Sequence, residues 1–246
     1  YKRQGPPLET GVAVGDPCTG LTALWAVVSA LVARRRTGVA ARIDVAMVEA
    51  LASSVGELWM EYLSTGISPE PRGNRDAMWA PHNCYPAAGK DEWLTIACTT
   101  DEAWVGAAKV IDPTLLDDPR FATMALRKTN EDALDDAIGA WTSAGERWDR
   151  CRQLQAVGVA AMPSLSPMEV WHGNEQMEAL GMLARPEHPV TGTHVVAGVP
   201  WQLTPGPNGL RRHAPLLGQH NLEVFTEVLG YSSDEVDQLQ QNGALK

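Results

Sequence analysis

Gly15-Asp16-Pro17-Cys18-Thr19-Gly20 begins the stretch, residues 15–47, whose pattern decides the fold. Asp is a favoured helix N-cap and Pro is favoured at the first helical position, so Asp16-Pro17 reads as a helix start. Leu21, Leu24, Trp25, Val28, Leu31 and Val32 follow at helical spacing. Ala23, Ala26, Val27 and Ala30 fill the other faces, which predicts a helix buried nearly all round. Arg34, Arg35 and Arg36 suit the negative end of the helix dipole, and Gly38 suits the stop. Next, Arg42–Met47 alternates as a short strand does. Val48–Leu63 reads as a second helix, with Leu51, Val55, Leu58, Trp59 and Tyr62 on one face. Helix, strand and helix on short links predict an α/β layered unit.

Around this stretch lies a chain of 246 residues with 20 Lys+Arg, 30 Asp+Glu and a formal charge of −10. That length suits one large or two small domains with a sizeable core. An acidic surface repels polyanions, so neither nucleic acid nor an anionic membrane is expected as a partner. No apolar run of about 20 residues stands out, so no membrane span is expected. Cys18, Cys84, Cys98 and Cys151 are scattered without a C-x-x-C pair. This excludes zinc-ribbon and thioredoxin-type readings and suits a reducing cytoplasm. The chain starts at Tyr1 with Gly5, Pro6 and Pro7 close behind, and reads as one entered in its middle.

Ser64–Asn83 is rich in turn formers, including Gly66, Pro69, Pro71, Gly73, Asn74 and Pro81, and marks the expected domain boundary. Cys84–Ala87 and Glu92–Cys98 then read as a hairpin. Thr99 and Glu102 have capping-box spacing for a helix over 101–111. Helices are expected near 120–128, 130–142 and 145–157, followed by a strand over Val159–Ser164. Ser166 and Glu169 form another capping pattern. Leu183–His188 and His194–Leu203 read as strands, and 218–230 and 232–242 as two helices, the last capped by Ser232 and Glu235.

Asp16 carries the sharpest chemical reading. As an N-cap it would only accept backbone N–H bonds, the commoner role for such a residue. As a catalytic group it would stay ionised at the positive end of the helix and attack an activated thioester. Both roles coexist only if one oxygen is capped and the other free. His82 and Asn83 sit in a turn-rich segment, with lining a pocket and a plain structural role both open. Arg34–Arg36 suit either phosphates or a solvated helix end, and Met47 either a ligand or the core. Trp25, Trp59, Trp93, Trp104 and Trp141 read as core. The pairs Asp101/Glu102 and Asp135/Asp136 read as helix starts or solvated faces. The histidines lack metal-ligand spacing, and no metal is expected.

Taken in order, several motifs resemble the family III CoA-transferases, the CaiB/BaiF family. They are Gly15-Asp16-Pro17-x-x-Gly20, Arg34-Arg35-Arg36-Thr37-Gly38, Ile43-Asp44-Val45-Ala46-Met47 and Gly73-Asn74. Pro81-His82-Asn83-Cys84-Tyr85-Pro86, Asp118-Pro119-Arg120-Phe121, His188-Pro189-Val190-x-Gly192, Ala214-Pro215-Leu216-Leu217-Gly218 and Leu229-Gly230-Tyr231 continue the series across nearly the whole chain. The resemblance implies an α/β fold with part of a Rossmann-like large domain, a smaller α+β domain and an interlinked dimer. On that basis residues 1–70 are the remainder of the large CoA-binding domain and a linker helix. Residues 71–200 are the small domain, and 201–246 return to the large one. The implied activity moves CoA between an acyl-CoA and a free carboxylic acid, with Asp16 as nucleophile and Gly15, Arg36, Met47, His82 and Asn83 at the CoA or substrate site. CoA is then a substrate, and no permanently bound cofactor is expected. The partner is a second copy or a chain supplying the remaining half. Val39-Ala40-Ala41 departs from the family's Arg-Gly-Gln, and the poly-glycine loop of the formyl-CoA enzymes is absent, which counts against oxalate or formate. An α-methylacyl-CoA racemase and a non-catalytic subunit are the alternatives; Pro17-Cys18-Thr19 after the Gly-Asp pair favours the transferase.

Overall fold

The structure is a computed structural model that describes residues 13–206 and 208–245. Two compact units divide at Ser164/Leu165.

The first unit opens with α1 (Gly15–Thr37), a 23-residue helix that ends at Gly38 in the left-handed region, φ 74°. Arg34, Arg35 and Arg36 lie in its last turn, as the dipole favours. Its start differs from the expectation. Val14 occupies the N-cap and Asp16 lies inside the first turn, with no side-chain cap. Its burial differs too. No residue of α1 is buried, and Trp25 is 77 % exposed. The stripe is apolar as read, but the described residues supply no surface to cover most of it. By length and composition this helix also qualifies as a membrane span, against the expectation of none.

Residues 39–46 form no strand. Ala46 is extended, but a strand exists only where a neighbouring backbone takes up its hydrogen bonds, and among the described residues none pairs. The expected second helix is two helices, α2 (Met47–Ser53) and α3 (Gly56–Thr65). Ser53 and Ser54 both donate their hydroxyls to the Ala50 carbonyl, at 2.8 and 3.1 Å. Such side chains compete with the helical ladder, and the break falls at Val55, whose φ is −117°.

Beyond the turn-rich segment, β1 (His82–Pro86), β2 (Trp93–Ala97) and β3 (Ala160–Pro163) form an antiparallel sheet in the order β1-β2-β3. Tyr85 pairs with Leu94, and Ile96 with both Asn83 and Ala161. Between β2 and β3 run α4 (Asp101–Ile111), α5 (Met124–Thr129), α6 (Glu131–Ser143) and α7 (Arg147–Gln155). The cap of α4 is Thr100, whose side chain accepts from the Ala103 N–H, and not Thr99. Leu94, Ile96, Trp104, Phe121, Leu134 and Leu154 build the core between sheet and helices. Gly106 is required there: a Cβ would meet the Val157 carbonyl at 2.8 Å. Gly158 turns the chain from α7 into β3 with φ 80°. Of the tryptophans read as core, Trp104 is buried and Trp93 and Trp141 are half-buried, while Trp25 and Trp59 are exposed.

The second unit holds α8 (Pro167–Trp171) and α9 (Glu175–Ala179). The expected long strands are two-residue pieces: β4 (Leu183–Ala184), β5 (Glu187–His188), β6 (Gly192–Thr193) and β7 (Val196–Ala197). β4 pairs with β7, and β5 with β6. Near the end, α10 (Asn221–Glu223) runs into a π-helical turn over Val224–Val228, and α11 (Ser233–Gln241) starts with the expected Ser232–Glu235 capping box.

Candidate functional site

Asp16 is exposed in the first turn of α1. Its backbone N–H donates to the Ala13 carbonyl at 3.1 Å. Among the described residues no hydrogen bond or ion pair engages its carboxylate. Thr19 sits beneath, donating its hydroxyl to the Gly15 carbonyl at 2.7 Å. Gly15 faces α2: a Cβ built on it would lie 3.7 Å from Met47 Sδ and 3.9 Å from Leu51 Cδ2. The fold therefore brings Met47 against Gly15, the residue before Asp16. Arg36 lies at the far end of the same helix, about 30 Å away at 1.5 Å per residue.

His82 and Asn83 belong to a second place, a cavity of about 660 Å³ lined by Gly73–Asp76, by residues of the three strands and by Gln155 and Val159. His82 Nδ1 lies 2.8 Å from the Asn74 carbonyl. A carbonyl only accepts, so Nδ1 carries a proton and donates it there. Asn83 is spent on structure: its Nδ2 donates to Asp135 at 2.9 Å, and its Oδ1 accepts from the Cys84 N–H at 2.8 Å.

Asp135 was read as part of a solvated face and is instead a hub. Besides Asn83 it accepts from Arg75 Nε at 2.8 Å and from Tyr85 Oη at 2.7 Å. Arg75 also donates to Asp132 at 2.8 Å and lies 3.6 Å from Glu131. The hub ties the turn-rich segment and β1 to α6. Its signal in the sequence is the run of acids Glu131, Asp132 and Asp135 on one helix, set against Arg75 in the turn-rich segment upstream. Burial pushes the Cys84 and Cys151 thiols up and drives Cys98 to about 12, so none of these three is poised as a thiolate nucleophile at neutral pH. Among the described residues no three His, Cys, Asp or Glu side chains gather as a metal site.

Residues 2–221 match CoA-transferase family III. The chain is 31 % identical over 244 residues to a succinyl-CoA:D-citramalate CoA-transferase of Chloroflexus aurantiacus, covering 96 % of this chain and 58 % of that protein. It is 30 % identical over 260 residues to a formyl-CoA:oxalate CoA-transferase of Streptomyces avermitilis, covering 98 % of this chain and 62 % of the relative. Its structure superposes on that of a CaiB/BaiF family protein from Brucella suis with a TM-score of 0.80 and 28 % identity, over 92 % of this chain and 58 % of the other. The chain thus spans about three fifths of the length of these relatives. The apolar helix α1 lies within both the family match and its mixed α/β architecture, so length and apolarity alone do not make it a membrane span. The order of motifs, the exposed aspartate in the first turn of α1 and the superposed fold agree, and the chain belongs to CoA-transferase family III.

Proposed function

We propose that this chain carries the nucleophile of an acyl-CoA:carboxylate CoA-transferase, and that the nucleophile is Asp16. The observation that carries the reading is its exposed carboxylate in the first turn of α1, with no competing bond among the described residues. The activities named for the relatives from Chloroflexus and Streptomyces support the same class.

In this reading an Asp16 oxygen attacks the thioester carbonyl, the carbon–sulfur bond breaks, and CoA leaves as a thiolate. The product is an acyl-aspartyl anhydride. The thiolate then attacks the Asp16 carbonyl and expels the donor acid, leaving an aspartyl-CoA thioester. The acceptor carboxylate attacks that thioester and frees the thiolate, forming a second anhydride. Attack of the thiolate on the acceptor's acyl carbon gives the new acyl-CoA and restores the Asp16 carboxylate. CoA enters and leaves as part of the substrates. Met47 packs beside Gly15, and in this reading it would touch the CoA arm near the reacting carbon. Arg36, at the opposite end of α1, would meet only a distant part of CoA. His82 belongs to the cavity on the sheet, and Asn83 holds β1 in place.

The exposed face of α1 calls for a covering surface, either a second copy of the protein or a chain contributing the part of the family fold beyond this one. The reading is tested by replacing Asp16 with Asn: CoA exchange should disappear while the melting temperature is kept. Full exchange by the folded variant would refute it.

A further inference from the structure

Gly20 stands in the second turn of α1, where a glycine weakens a helix relative to alanine. It is the only glycine of that helix after Gly15. The backbone does not call for it: unlike Gly38, Gly20 does not lie in the left-handed region. Packing among the described residues does not call for it either. The residue is exposed, and a Cβ built on it meets nothing within 4 Å beyond its chain neighbours and its own helix backbone.

Its position relative to Asp16 supplies the reason. Gly20 follows Asp16 by four residues, so the two Cβ positions stand about 5–6 Å apart on one face of the helix. Helical side chains lean toward the N-terminus, over the residues three and four before them. Within α1, only residues 19 and 20 therefore lean over Asp16. Thr19 is half-buried, and its hydroxyl is tied back to the Gly15 carbonyl at 2.7 Å. Gly20 has no side chain to lean. The exposed Asp16 carboxylate is thus left open on the side facing the rest of its helix.

We infer that Gly20 is the access residue of Asp16: the space of its missing side chain is where the acyl thioester comes down on the carboxylate. This rests on the CoA-transfer reading and deepens it by naming the side from which the thioester arrives. Attack requires the thioester carbon about 3–3.5 Å from an Asp16 oxygen, and a side chain at position 20 would occupy that approach.

Access is measured on the complete protein by labelling with a water-soluble carbodiimide and glycinamide, followed by peptide-mass analysis. Glu102, an exposed acid in the first turn of α4, is the internal reference. Asp16 should label readily in the wild-type protein. In Gly20→Leu its labelling relative to Glu102 should fall about tenfold, the factor for forcing a leucine off its preferred helical rotamers. Gly20→Ala should slow labelling about twofold, since a lone methyl has nothing further to lean over Asp16. The same variant should melt about 2 °C higher, as alanine for glycine does in a helix that loses no packing.

An unreactive wild-type Asp16, or equal labelling in wild type and folded Gly20→Leu, would overturn the inference. So would a lower melting temperature or a dissociated assembly in Gly20→Ala, which would make Gly20 a packing site for the covering chain. Where Gly20→Leu does not fold, the alanine variant decides. Labelling needs no turnover, so the two readings fail separately. Slowed labelling with no CoA exchange in the wild type sinks the transfer chemistry and leaves the access role. Full exchange in folded Gly20→Leu sinks the access role and leaves Asp16 as nucleophile.

Discussion

The Tyr85 hydroxyl donates to Asp135 Oδ1 at 2.7 Å, joining the first strand of the sheet to α6. Tyr85 is buried, and Asp135 also holds Arg75 and Asn83. Tyr85→Phe removes one bond and should cost about 1–2 kcal/mol. Asp135→Ala strands three donors at once and should cost about 3 kcal/mol or more. Urea unfolding of both variants checks the order: Asp135→Ala must be the worse by a clear margin.

Arg127 is fully buried in α5. It donates to the Ala80 carbonyl at 2.9 Å, the Phe121 carbonyl at 3.1 Å and Asp101 at 2.5 Å, and lies 5.4 Å from the Trp104 ring centroid. The planar fork serves several acceptors in different directions, which an ammonium cannot reproduce. Arg127→Lys should therefore destabilise by about 3 kcal/mol, nearly as much as Arg127→Met. Near-native stability of the lysine variant in thermal melts would show that charge alone suffices.

Alkaline pH should loosen the first unit. Burial raises Cys98 from its ordinary 9.0 to about 12, and burial together with Asp135 raises Tyr85 well above 10.0. In the unfolded chain each ionises first, so the stability each contributes is complete below its ordinary value and is lost as pH rises toward the folded one. From about pH 9 upward stability should fall, by about 1.4 kcal/mol per pH unit for each group titrating. Cys98→Ala should flatten the first part of that slope. An identical slope in the variant, measured by urea unfolding across the alkaline range, would exclude Cys98 as its source.

The uncovered stripe on α1 should drive assembly. Trp25 is 77 % and Leu21 67 % exposed. Light scattering of the wild-type protein should show at least a dimer, and Trp25→Glu should weaken association without lowering stability. A monodisperse monomer at high concentration would show that no second copy covers the stripe.

Where the sequence was legible, the cause was local. Helical spacing marked α1 and α4, and the Ser166–Glu169 and Ser232–Glu235 boxes marked helix starts, because such signals act within a turn or two. The strand expected over Arg42–Met47 failed because no backbone among the described residues pairs with it. Burial of α1 failed because its covering surface is not among the described residues. Asp135 was misread because its meaning depends on Arg75, 60 residues away, and on a sheet that exists only after folding. At the candidate site, the motif pointed to Asp16, and the packing of Met47 on Gly15 appeared only with the α1–α2 contact. His82 and Asn83, adjacent in sequence and both at the sheet cavity, differ in role because His82 bonds the Asn74 carbonyl while Asn83 is engaged by Asp135 and the Cys84 N–H.

Peptide-mass analysis of the complete protein, after incubation with a panel of acyl-CoAs in deuterated water and a rapid quench, tests the role of Asp16 most directly. Covalent transfer predicts an acyl or CoA mass on the peptide holding Asp16, abolished by Asp16→Asn. An unmodified peptide together with deuterium at the substrate α-carbon would instead make Asp16 an acid–base group and contradict the transfer chemistry.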